Sequence, residues 1–185
     1  MTIYKKDSPV LIEKGIQEIQ DLLGRKLAWL DNIFGRVVKL NKDKGNKIVT
    51  YPAFYKGGAE YVELLPQLDL GNYCFFEVYN PQEVDNGLQD KVGLSFQGAI
   101  VFWYDQRTIN PDPSHLWSEE IKQAVLEALR TPGSYKNVRV QMLRVIEEPE
   151  LIFKGYGIKQ IDTQFLMYPY FGLRIECSFK VLELC

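Results

Sequence analysis

The run Ala99-Ile100-Val101-Phe102-Trp103-Tyr104 constrains this chain most. Six consecutive apolar or aromatic side chains in an extended strand put hydrophobic surface on both faces of a sheet, so both faces need a cover. The strand extends from Leu94 to Ile109 and belongs at the centre of its sheet. A second strong strand closes the chain. From Gly172 onward, Leu173, Ile175, Cys177, Phe179 and Val181 alternate with Arg174, Glu176, Ser178 and Lys180, which gives one apolar and one polar face. In front of it stands an uncharged knot, Met167-Tyr168-Pro169-Tyr170-Phe171.

Two helices supply the cover. Ser8-Pro9 reads as a helix start, and Ile12, Ile16, Ile19 and Leu23 form one apolar stripe, with Gly24 able to end the helix or to let it turn into Leu27-Ala28-Trp29-Leu30. Ser118-Glu119-Glu120 opens the second helix with acids in its first turn. Its stripe is Ile121, Val125 and Leu129, and Thr131-Pro132-Gly133 ends it. Further strands are predicted at Arg36–Leu40 and Lys47–Tyr51 (a hairpin), at Cys74–Tyr79, and at Val138–Ile146. Tyr51 to Gly58 reads as an edge or loop because of Pro52, and Asn80 to Gly87 as a turn-rich stretch. A short piece follows around Leu151–Phe153.

The order predicts an α+β fold: a mostly antiparallel sheet with the two main helices packed on one face. One domain is expected over 1–185, with 52–93 as a loop-rich insertion. A content of 46% hydrophobic and 13% aromatic residues sustains such a core. A net charge of −2 gives no global attraction to nucleic acid or anionic lipid. No stretch approaches the length of a membrane span, and no secretory signal precedes the first helix.

The reactive residue types form no pattern. His115 is the one histidine and lies in a proline-rich loop. An enzyme reading would have to pair it with Asp105 or Asp112. Cys74, Cys177 and Cys185 are odd in number and widely spaced, which fits neither a disulfide framework nor a zinc site and suggests a reducing compartment. No glycine pattern matches a phosphate-binding loop. No catalytic residue, metal or cofactor is therefore expected. Lys39, Lys42, Lys44 and Lys47 crowd one hairpin tip, where they are candidate phosphate contacts or simply a hydrated tip. Aromatic residues around Trp29, Phe34, Phe54, Tyr55, Tyr168, Tyr170 and Phe171 exceed what a small core obviously needs, and surplus apolar surface marks a partner interface.

The element order resembles the tail-terminator and tail-completion (head–tail joining) proteins of long-tailed phages, most specifically versions from Bacteroidetes phages or prophages. The resemblance is carried by the opening helix to Leu23, by Trp29-Leu30-Asp31-Asn32-Ile33-Phe34-Gly35-Arg36, by Gly98 to Trp103, by the helix from Ser118 to Arg130, and by Tyr170-Phe171-Gly172-Leu173-Arg174-Ile175-Glu176. It implies a non-enzymatic virion subunit, assembled in the bacterial cytoplasm. Such a subunit closes with copies of itself into a ring, usually a hexamer, between tail tube and head connector. DNA would pass the lumen without being read, and no membrane is involved. Expected ring contacts are Val84, Leu88, Arg107, Ile109, Tyr168, Tyr170 and Phe171. The alternative is a small-ligand-binding α+β module of the bacterial cytoplasm, with Tyr73, Phe75, Phe102 and Trp103 around an apolar cavity.

Overall fold

The computed structural model describes residues 1–43, 45, 47–88, 91–112, 118–130 and 135–184; of residues 80–83, 85–88, 91, 92, 160 and 182–184 it describes the backbone alone. The elements run β1 (Thr2–Ile3), α1 (Ile12–Lys26), β2 (Asn32–Arg36), β3 (Val38–Asp43), β4 (Ile48–Gly57), β5 (Glu60–Glu63), β6 (Tyr73–Leu88), β7 (Lys91–Asp105), α2 (Gln106–Ile109), α3 (Ser118–Arg130), β8 (Val138–Ile146), α4 (Pro149–Ile152) and β9 (Tyr170–Leu184). They form a six-stranded sheet ordered β1-β2-β6-β7-β9-β8 and a three-stranded sheet ordered β3-β4-β5. The fold is α+β. β1, β2 and β6 pair in parallel, and every other neighbour pair is antiparallel.

The doubly apolar run occupies β7, flanked by β6 and β9, and both of its faces are covered. Ile100, Phe102 and Tyr104 join α1, α3 and the apolar residues of β9 in one core. Ala99, Val101 and Trp103 face a second core, built from Phe34, Tyr73, Phe75, Phe153 and the residues that lead into and out of the small sheet. The two predicted helices share the first face. The second face is covered by the three-stranded sheet and the 149–166 segment, which sequence periodicity does not reveal. The closing strand is no edge: it pairs with β7 from Tyr170 to Leu184 and with β8 on its other side.

Several boundaries differ from expectation. Ser8-Pro9 does not cap α1. Ser8 takes a left-handed φ of 50°, and the helix starts at Ile12 behind Leu11. The leading segment is held instead by tertiary bonds, Lys6 Nζ to Glu13 at 2.7 Å and Gln17 Nε2 to the Lys6 carbonyl at 2.7 Å. Gly24 does not end the helix, which continues to Lys26. A Cβ there would lie 2.9 Å from Ile3 Cδ1, so the glycine admits β1 against the helix.

The hairpin exists with shifted bounds, because Asn32–Arg36 belongs to the large sheet and pairs with β6. Residues 52–93 are rich in strand, not in loop. Pro52 lies inside β4, the central strand of the small sheet, where its carbonyl still accepts from Leu64 N–H at 2.8 Å. Asn80–Gly87 continues β6, and the ladder slips between Val78 and Gln82, where Pro81 would otherwise owe a donor. At the far end, β7 stops at Asp105. That side chain accepts from Arg107 N–H and turns the chain into α2, so the predicted strand end at Ile109 is helical.

Candidate functional site

Two polar features stand out against this frame. The first is buried. Arg174, on the nominally polar phase of β9, is only 1% exposed. Its guanidinium meets Glu77 Oε2 at 2.6 Å, donates to the Ile152 carbonyl at 2.9 Å, and contacts the Tyr79 hydroxyl, which itself donates to Glu77 at 2.9 Å. The Tyr156 hydroxyl sits beside the same carboxylate, and Lys39 Nζ lies 5.1 Å over the Tyr156 ring. Burial holds the Glu77 carboxyl above its ordinary range, with Arg174 pulling the other way. Burial, then the Glu77 charge, pushes the Tyr156 phenol up. The set ties β6, β9 and α4 together across the second face. Arg174, Glu77 and Tyr156 are buried, whereas Tyr79 is partly and Lys39 openly exposed, so the ion pair is sealed while the rim of the set reaches solvent.

The second feature is an open cleft of about 650 Å³ at the β1–β2 margin of the large sheet. One wall is the segment Lys5–Asp7 with the first turns of α1; the other is Val38 and the β4–β5 end with Tyr55 and Tyr61. Gly35 at its floor lets Phe54 approach, since a Cβ would stand 3.2 Å from the Phe54 ring. Phe54 in turn packs on Phe34 at 5.6 Å. Gln20, 1% exposed, fixes the wall by donating to the Tyr4 and Ile33 carbonyls at 2.9 and 3.2 Å. Tyr55 and Tyr61, directly opposed across β4 and β5, pair their exposed rings at 5.1 Å.

The charges of the cleft are unevenly matched. Lys6 is taken by Glu13 and Lys5 by Asp21 at 2.6 Å. Arg36 and Lys56 have no carboxylate partner among the described residues, and Asp7 on the same rim has no cation. An apolar aromatic floor beneath two free cations suits a segment or molecule that carries carboxylates beside apolar groups. The described residues contain no cluster of histidine, cysteine, aspartate or glutamate that could hold a metal.

The residues singled out from sequence do not converge on either feature as a group. Val84 is exposed on β6, and Leu88 lies at the end of that strand with its side chain outside the described residues. Arg107 pairs with Asp105 at 2.9 Å, and Ile109 packs against the helix-side core. The aromatic knot is split by the pleat. Phe171 stacks on Tyr104 at 6.4 Å on the helix side, while Tyr170 meets Phe165 at 4.9 Å on the other. Met167 and Tyr168 stay exposed.

The lysine hairpin is divided too. Lys39 turns toward Tyr156, Lys42 reaches Glu63 at 3.9 Å, Lys47 is exposed, and Lys44 lies outside the described residues, as does His115. The four residues assigned to an apolar cavity cannot share one. Tyr73, Phe75 and Trp103 are packed in the second core, and Phe102 is in the first, on the opposite face. Phe34 and Phe54, candidates for exposure, are core residues. Cys74 and Cys177 are buried, and burial raises both thiols, Cys177 to about 12, so neither is a ready nucleophile. No helix among the described residues is long and apolar enough to cross a membrane.

Sequence reasoning missed the cleft because its walls come from four separate stretches. The one available signal was the pairing of Tyr55 and Tyr61 across a Gly57-Gly58 turn. No protein-family model matches this chain, and no curated protein matches its sequence.

Proposed function

We propose that this chain is a non-enzymatic structural subunit that works by assembling with copies of itself and with other virion proteins, of the phage tail-terminator or head–tail joining type. The observation that carries this reading is apolar surface left at the margins of a body that already buries two hydrophobic cores. Met167 is 60% and Tyr168 52% exposed, next to half-buried Tyr170 and Phe171. Exposed Val84 on the β6–β7 hairpin and Leu143 on edge strand β8 extend the pattern. Apolar patches of this kind mark protein interfaces. The hairpin, the 106–112 segment and the 167–171 corner serve as ring contacts in this reading, and DNA is met only non-specifically in a lumen.

The test is native mass spectrometry and light scattering on the purified chain across a wide concentration range. A closed oligomer, six subunits being the number the resemblance implies, is the expected result. Tyr168→Glu together with Met167→Glu should shift it toward monomer. A wild-type chain that stays monomeric throughout overturns the reading. A small-ligand module is the second reading, favoured by the 650 Å³ cleft. It requires saturable binding of a small organic anion that Arg36→Ala abolishes.

A further inference from the structure

The β8 margin of the sheet, opposite the cleft, carries a corner of complementary character. β8 ends at Ile146, and Glu147-Glu148-Pro149-Glu150-Leu151 turns the chain into α4. Glu147 is taken by Lys122 at 3.0 Å. Glu148 and Glu150 are exposed and have no cationic partner among the described residues. Leu151 between them and the core is 44% exposed, although its neighbour Ile152 is fully buried. The corner is anchored at its base. Pro149 sits at the first helical turn, and the Ile152 carbonyl is held at 2.9 Å by buried Arg174.

We infer that this acidic corner of one copy seats in the cationic cleft of the next. The inference rests on the assembly reading above and names the two surfaces that would meet. Charge complementarity carries it: two unpaired carboxylates precede an exposed leucine on one margin, and two unpaired cations line the same cleft as Val38, Tyr55 and Tyr61 on the other. Asp7 is the one unpartnered carboxylate on the cleft rim, against two cations. In the strand order β1-β2-β6-β7-β9-β8 the cleft's β2 residues and strand β8 are separated by four inter-strand spacings, roughly 19 Å. A contact between two different patches is heterologous, so it repeats head to tail and closes into a ring where the rotation allows. The corner is preorganised by Arg174 and Pro149, so little ordering cost opposes docking. The buried ion pair thereby gains a role: it anchors the base of the corner.

The experiment is a charge swap read by sedimentation velocity. One full-length variant carries Arg36→Glu and Lys56→Glu; another carries Glu148→Lys and Glu150→Lys. All four positions are at least partly solvent-exposed, and unchanged circular dichroism checks the fold of each variant. Each variant alone is expected to self-associate about tenfold or more weakly than wild type, because like charges now meet. An equimolar mixture restores assembly, since each reversed surface finds its complement on the other variant. If wild type assembles and neither variant is weakened, the docking is overturned while the assembly reading stands. If wild type is monomeric at every concentration, both fall. Weakening of both variants without rescue on mixing also overturns the pairing, because it assigns the two surfaces to different contacts.

Discussion

On the helix-bearing face of the large sheet, β9 contributes Leu173, Ile175, Cys177, Phe179 and Val181, all buried against α1 and α3. On the opposite face the same strand contributes Arg174, buried as deeply as Leu173 and Cys177, followed by partly exposed Glu176, Ser178 and Lys180. The first face is a hydrophobic layer whose members are interchangeable within volume limits. The second is stitched by a directional polar set, Arg174, Glu77, Tyr79 and the Ile152 carbonyl, surrounded by aromatic rings. The helix side is held by area, which tolerates small losses. The other side is held by geometry, where one missing partner strands a charge.

Neighbouring residues of β9 test the contrast. Arg174→Ala leaves the Glu77 carboxylate buried without its cation, and the expected loss is about 3–5 kcal/mol by chemical denaturation. The double variant Arg174→Met with Glu77→Leu should recover most of it, because replacing both charges by apolar groups removes the desolvation cost along with the pair. Equal destabilisation of single and double variants would show that the charges themselves are not the issue. One residue on, Ile175→Val removes a single methylene from the helix face and should cost about 1 kcal/mol. A cost as large as that of Arg174→Ala would erase the distinction between the faces.

The smallest expected effect is in pH dependence. Burial holds Glu77 above its ordinary range despite Arg174. The folded chain therefore keeps that proton more tightly than the unfolded chain does. The stabilising contribution of this group is complete below the unfolded carboxylate value, and it declines as pH climbs through the raised folded value. Thermal melts of wild type against Glu77→Gln across pH 4 to 8 should show a difference that narrows wild-type stability toward the upper end. A difference of opposite slope would mean that Arg174 outweighs burial. No helix-side residue should produce a comparable profile.

How much of this was legible follows the same division. The helix face could be read because period-3.6 stripes in α1 and α3 and the period-2 alternation of β9 are local patterns. The requirement for a second layer was also legible, from the doubly apolar run in β7. Its composition was not. Pro52 and Pro81 argued for loops, yet β4 keeps its carbonyl bond at Pro52, and β6 slips its ladder around Pro81. Arg174 read as solvent-facing because alternation reports which residues share a side, not whether water reaches that side. Arg36 and Lys56 carried no signal, and the acidic run with Glu148 and Glu150 reads from sequence as a solvated strand end, since being unpaired is a property of surroundings.

By itself the sequence determined an α+β chain with a covered central strand, two amphipathic helices on one face, and a closing strand with one apolar face. Tertiary structure alone decided what covers the other face, that Arg174 is sealed against Glu77, and that the knot before β9 divides. Phe171 goes to one core, Tyr170 to the other, and Tyr168 remains at the surface. The physical reason is range. Periodicity is set by the backbone of neighbouring residues, whereas burial of a charge or exposure of a ring is fixed by partners far along the chain, 97 positions apart for Arg174 and Glu77.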